Sequence, residues 1–572
     1  MAQQTFTTVQ GLKNAYAQER PCRPSFVFSS FSFPSWSQLP AASSCGSHRL
    51  PALGLKYMKR YKHNLSNTRL TTCDMGQLIP VGLTEALPGD TFQLGTSAMI
   101  RVSPLAAPVM HPVNVRIHHF FVPHRLAWDA AVKTGNATGS WEDFITGGPD
   151  GRDASLPPVG PVKVGPAVKK TLYDYFGFPV NSPDDTGFGV EVNQMPLIGY
   201  NLIWNEYFRD QDLQSEVTIQ NVQVLNIGWG KDYFTTARPW TQKGPEVTLP
   251  LGSKAPVVGI GSPATFNYNA PNADVFETGK ATSTLYAHGA AVFSTSPAQG
   301  LYIKGTEAGT AGRPEIYADL SAAGAININD FRRAFAIQRY QEARARYGSR
   351  YTEYLRYLGV TPSDARLQRP EYIGGGTARL NFSEVLQTAQ ANRDGGDGGY
   401  GVGDLYGHGV AGVRSGRVRR FIEEHGFVFT LLSVRPRGLY MNGIHRSWFK
   451  RTKEDYWQKE LEQIGQQAIL RGEIYAEDAT PSDAYQTFGY QDRYSEYKSQ
   501  PSLVTGEFRD ILDFWHMGRK LPPSTQLNEE FIKCVPTKRI HNVQTQDALW
   551  CQINNRVVAR RMVRKSGSSR IM

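Results

Sequence analysis

Cysteine is scarce in this chain, and acidic residues are nearly missing from its two ends. The five cysteines, Cys22, Cys45, Cys73, Cys534 and Cys551, are odd in number, widely spaced and without a C-x-x-C pair. A disulfide framework or a structural zinc site needs close pairs, so neither is expected, and the thiols are read as reduced. No run of about 18 apolar residues occurs, so no helical membrane span is expected. The nearest approach to a signal core, FVFSSFSFPSWS at 26–37, is interrupted by serine and proline. H-E-x-x-H, G-x-S-x-G and G-K-[ST] are all missing. With them go the zinc-protease, hydrolase and P-loop readings.

What is present is positive charge, unevenly placed. The net charge is +11 over 572 residues. Residues 1–70 hold nine Lys/Arg against the single acid Glu19. Residues 556–572 hold Arg556, Arg560, Arg561, Arg564, Lys565 and Arg570 and no acid. The body between them is slightly acidic. Basic ends on such a body suit a polyanion, because neutralising phosphates releases counterions. Charge alone leaves open that the runs only solubilise the chain.

Glycine (55) and proline (35) are plentiful and favour a turn-rich, mainly β architecture. Residues 1–57 lack periodicity. The texture changes at Met58, which makes the first 57 residues either a non-native upstream extension, with Met58 as the true start, or a flexible arm. TSAMIRVSPL (96–105) and the period-2 VNVRIHHFFVP (113–123) read as strands, with P-G-D at 88–90 closing a loop before them. Helices are expected at WEDFITGG (141–148), VKKTLYDYFGFP (168–179), LIGYNLIWNEYFRD (197–210), 327–348 and EDYWQKELEQIGQQAIL (454–470). VTIQNVQVLNI, FVFTLLSV (427–434) and ALWCQINNRVVARRMV (548–563) read as strands, the second buried on both faces. The glycine-rich 393–418 reads as a mobile loop. Residues 246–325 are poor in charge and rich in Gly, Ala, Ser and Thr, and read as an inserted module. Strands so far apart in sequence must pair with one another, which suits a Greek-key or jelly-roll barrel.

The run RIHHFFVPHRLAWD (116–129) invites a metal reading, with His111 just upstream. Zinc needs ligands that converge. His118 and His119 are adjacent on a strand and point to opposite faces, and His124 lies beyond the strand end. No metal and no cofactor is therefore expected. A jelly-roll, cupin-like metalloenzyme using His111, His118 and His124, or a carbohydrate-binding β-sandwich, is the alternative.

The same stretches carry a resemblance. HNLSNTRLTTCDMGQLIPVGLTEALPGDTFQLGTSAMIRVSPLAAPVMHPVNVRIHHFFVPHRLAWD is similar to the N-terminal region of Microviridae major capsid proteins, nearest the gokushovirus-like group. YNLIWNEYFRDQ, KDYFTTARPWTQKGP, RRAFAIQRYQEARARYGSRYTEYL, DARLQRPEYIGGG, FGYQDRYSEYK and LDFWHMGR continue it in order from residue 63 onward. Residues 1–57 are not covered. The resemblance implies an eight-stranded viral jelly roll with long loop and helix insertions and no catalysis. It divides the chain into an extension (1–57), a first barrel part (58–245), a surface protrusion (246–325) and a second barrel part with the basic C-terminus (326–572). It implies a homo-oligomeric T=1 shell around a single-stranded DNA genome, assembled in the host cytoplasm, with a host receptor and minor virion proteins as further partners. Confining DNA requires cations on the inner wall. The candidates are Lys59, Arg60, Lys62, Arg69, Arg560, Arg561, Arg564 and Lys565, with Tyr57 and Tyr61 placed to stack on bases. The competing reading of these charges is pairing with acids on neighbouring subunits.

Overall fold

The computed structural model describes residues 59–148, 153–162, 168–180, 189–245, 328–348, 350–386, 405–477 and 480–565, residue 388, and short pieces between 247 and 318. The expected extension 1–57 lies outside these residues, as does most of the 246–325 module.

Ten strands form one curled antiparallel sheet. They are β1 (Tyr61–Asn64), β2 (Asn67–Cys73), β3 (Leu78–Ala86), β4 (Thr91–Val102), β5 (Val113–Pro123), β6 (Glu371–Leu386), β7 (Leu405–Arg414), β8 (Val418–Phe421), β9 (Gly426–Pro436) and β10 (Leu549–Arg561). One half of the sheet runs β2-β10-β4-β7. The other runs β3-β9-β5-β6. Strands consecutive in the chain fall mostly in different halves, which is jelly-roll connectivity. The strand β6 belongs to both: Glu371–Leu380 pairs with β5 and Asn381–Leu386 with β7. Its IGGG run (373–376) lies within the part paired with β5. The register slips between Tyr372 and Gly374, and a side chain on Gly375 would meet the Ile117 carbonyl oxygen at 2.2 Å.

Alternation places the core. Outward residues on β4 and β10 are exposed or half-buried, and those facing inward are buried. Ile100, Val115, Ile117, Leu432 and Ile553 meet between the halves, each at most 1% exposed. Burial of each such side chain contributes about 1.5–3 kcal/mol. Strands β5 and β9 are buried on both faces over much of their length. Two long insertions explain this, residues 124–370 between β5 and β6 and 437–548 between β9 and β10. Helix α1 (His124–Lys133) follows β5 directly. Helix α2 (Met195–Tyr207) lays Leu197, Tyr200, Ile203 and Trp204 against Phe120, Val122, Phe429 and Leu431. Helices α3 (Ile328–Tyr347) and α4 (Tyr351–Tyr357) precede β6.

Three local expectations fail. VTIQNVQVLNI (217–227) is irregular and joins no sheet, pairing with other backbone only at isolated bridges such as Gln223–Thr171 and Asn226–Gln77. Side-chain amides of α2 replace a partner strand: Asn201 donates to the Ile219 and Asn221 carbonyls, and Asn205 brackets Val217 from both sides. The 454–470 helix is instead two short 3-10 turns and a strand, Gln466–Leu470, paired with Thr487–Asp492. Gly465, at φ +29°, separates turn from strand. In the glycine-rich stretch, 393–404 lie outside the described residues, and 405–414 form β7 rather than a mobile loop. Its inward positions are Gly407, Gly409, Ala411 and Val413, too small to give a period-2 apolar signal.

Candidate nucleic-acid interface

The histidines of the 111–124 stretch do not converge. His119 points into the barrel, where Nδ1 meets Thr430 Oγ1 at 3.0 Å and Nε2 meets Ser415 Oγ at 3.0 Å. His118 points the other way, to Ser433 Oγ at 3.2 Å. His111 bonds the Arg437 carbonyl, and His124 packs edge-on against Trp141 and Phe427. Burial pushes all four imidazoles down, His118 to about 3 and His111, His119 and His124 to about 4. A buried neutral imidazole bonded to a hydroxyl or carbonyl is a structural group. Among the described residues no three His, Cys, Asp or Glu side chains cluster as metal ligands.

The two basic ends do converge. Strand β1 lies antiparallel beside β10, so Lys62 faces Arg560 and Tyr61 faces Arg561 in register. Directly opposed residues point to the same side. Lys62 and Arg560 therefore share the outward face of the β2-β10-β4-β7 half, and both are exposed. Following that face through the registers adds Arg556 opposite Gly95, Arg419 opposite Gln93, Arg414 opposite Ser97 and Arg101 opposite Trp550. No Asp or Glu occupies an outward position on β4, β7, β8 or β10. None of the six cations forms an ion pair within the described residues. Two aromatics share the face, Trp550 (42% exposed) and Phe421 (46% exposed). Arg60 lies over the Phe421 ring at 5.2 Å.

The eight sequence candidates divide. Lys59, Arg60, Lys62, Arg560, Arg564 and Lys565 are exposed. Arg69 is half-buried, donates to the Tyr175 carbonyl at 2.9 Å, and has its pKa lowered by burial. Arg561 is tied to Asp90 at 2.8 Å and to the Glu85 carbonyl. Tyr61 is half-buried with Lys59 over its ring, and Tyr57 lies outside the described residues. Sequence reasoning missed Arg101, Arg414, Arg419, Arg556 and Trp550 as one surface. Each sits at alternate spacing on its own strand, but only the pairing register brings the strands together.

A sheet face of this kind offers spaced cations for phosphates and flat rings for unpaired bases. Its chemistry reads no base sequence.

A family model described as capsid protein (F protein) matches residues 55–569. The chain belongs to this phage capsid family. The capsid protein VP1 of Bdellovibrio phage phiMH2K is 32% identical, with 85% of this chain and 90% of the relative covered. VP1 of Chlamydia phage 1 is 29% identical over 86% and 92%, and that of Spiroplasma virus 4 is 27% identical over 83% and 88%. The resemblance to Microviridae of the gokushovirus-like group holds along the chain, and the jelly roll agrees with it. The capsid protein is a structural component of a virion rather than an enzyme. No helix among its described residues is long and apolar enough to cross a membrane.

Proposed function

We propose that this capsid protein forms a T=1 icosahedral shell enclosing single-stranded DNA, with the outward face of the β2-β10-β4-β7 half turned to the genome. The observation that carries the reading is the asymmetry of the barrel. One half is packed over by the 124–370 and 437–548 insertions. Among the described residues the other is bare, free of acids and lined with Lys62, Arg101, Arg414, Arg419, Arg556 and Arg560. A bare cationic face on a shell subunit matches a polyanion on the inside, and insertions match an outside. The 246–325 module is then a surface protrusion engaging a host receptor, with assembly in the host cytoplasm and minor virion proteins as additional partners.

The test replaces Lys62, Arg419, Arg556 and Arg560 together by Gln. Megadalton-scale particles should still form, seen by electron microscopy, with less retained DNA and a shallower salt dependence of DNA release. Unchanged DNA content and salt dependence would assign these cations to contacts between subunits.

A further inference from the structure

The covered half of the barrel is not sealed. A cleft of about 580 Å³ lies on the outer side of β5 and β9, beside the C-terminal end of α2 and under α4. Its floor is Asn114, Arg116 and His118 of β5 with Ser433 and Arg435 of β9. The registers Arg116–Ser433 and Asn114–Arg435 make Arg116 and Arg435 diagonal neighbours on one face of the sheet.

Eight of the lining residues are Lys or Arg and four are Asp or Glu. The acids are already engaged. Asp210 pairs with Lys231 and Arg238, Asp212 with Arg238 and Lys243, and Asp364 with Arg369. Glu353 accepts from the backbone N–H of Arg350. The Arg350 side chain donates to the Asn205 and Arg209 carbonyls. No described carboxylate pairs with Arg116 or Arg435, and Arg435 reaches only the Gly228 carbonyl, at 3.3 Å. Burial lowers the Arg435 pKa and the neighbouring Arg116 lowers it further, so these two like charges repel one another. His118, one row beyond Arg116 on the same face, is held neutral by burial. Tyr372 and Phe208 add aromatic surface to the wall.

We propose that this cleft binds a phosphate monoester of nucleotide size, held at its phosphate by Arg116 and Arg435. Arginine forks match phosphate oxygens in bidentate fashion. A monoester carries about −1.5 to −2 near pH 7, enough to balance two guanidinium groups, whereas a diester carries one charge. The volume falls within the about 300–1,000 Å³ typical of small-ligand sites and far exceeds a bare phosphate, leaving room for a sugar and base beside Tyr372.

The test uses the full-length protein, with calorimetric titration of dAMP, dimethyl phosphate and succinate. Saturable dAMP binding is expected, at least tenfold tighter than dimethyl phosphate, strengthening as pH rises through about 6, the second phosphate pKa. Arg116→Gln should weaken it at least tenfold. Arg435→Gln should do the same, and Arg116→Gln stands alone if loss of the Gly228 contact unfolds the second variant. Circular dichroism and particle formation serve as fold controls. Absence of dAMP binding overturns the proposal, as does binding undiminished in Arg116→Gln. Succinate or dimethyl phosphate binding as tightly as dAMP also overturns it, by assigning the cleft to a carboxylate of another chain or to a strand phosphate.

Discussion

Arg560 and Arg561 are neighbours in sequence with opposite surroundings. Arg560 stands free on the outward face, while Arg561 turns inward to a carboxylate that is 0% exposed, Asp90. Removing one partner of a buried pair strands the other charge, at a cost of about 3–5 kcal/mol. Arg561→Gln is therefore expected to lower unfolding stability by about 3 kcal/mol in a urea titration, without a specific loss of DNA. Arg560→Gln should change stability by less than about 0.5 kcal/mol and show its effect in retained DNA. The buried histidines set a pH dependence. Their folded pKa values, about 3 for His118 and about 4 for His111, His119 and His124, lie below the ordinary 6.5. The unfolded chain thus takes up protons first as pH falls, and stability declines from about pH 6.5 downward. Each group contributes on the order of 1–3 kcal/mol to this decline. Urea midpoints measured between pH 7.5 and 4.5 should fall, and His119→Gln should flatten the curve. A midpoint independent of pH in that range would contradict the buried neutral assignment.

At the scale of elements, β10 ties the two ends of the described chain together. It pairs with β1, β2 and β4, and its inward Asn555 accepts from Thr96 and donates to the Val81 carbonyl and Asn67. Asn555→Ala should cost about 1–3 kcal/mol by leaving those groups unsatisfied. Hydrogen exchange should then speed up in Asn67–Cys73 more than in β4, which retains β7 on its other side. Strands with a wet face and a dry face, such as β4 and β10, were legible because alternation writes itself into sequence. So were helices closed by glycine, as at Gly147 and Gly177, both in the left-handed region. Strand β7 was not, since glycine at its inward positions removes the apolar half of the signal. Residues 217–227 show alternation without a strand, because the amides that hold them come from α2. The cationic face was half legible. Its ends stood out as charge runs, but Arg101, Arg414 and Arg419 are isolated in sequence and join it only through strand register. The arginine cleft left no mark at all, being assembled from β5, β9, segments between 207 and 372, and Ile532.

For the whole molecule, the inserted module tests the division between barrel and surface. Loop-closure cost grows only slowly with length, so a chain joining Val247 to Asn327 by a short linker should remain soluble and form particles while losing host binding. Failure of that variant to fold would place the module in the core. The position of β10 has a further consequence, for the order of events during synthesis. Leu549 pairs with Val102 and Cys73, and Arg560 with Thr91 and Lys62, so this strand fills the gap between partners made hundreds of residues earlier. Until residue 561 has left the ribosome, β2 and β4 each present an unpaired edge and one side of the barrel stays open. Translation proceeds at about 5–20 residues per second, so that opening persists for tens of seconds on every nascent chain. The cationic face is likewise incomplete until Arg556 and Arg560 arrive. A nascent subunit consequently has no closed barrel from which to build a shell until its last strand is made.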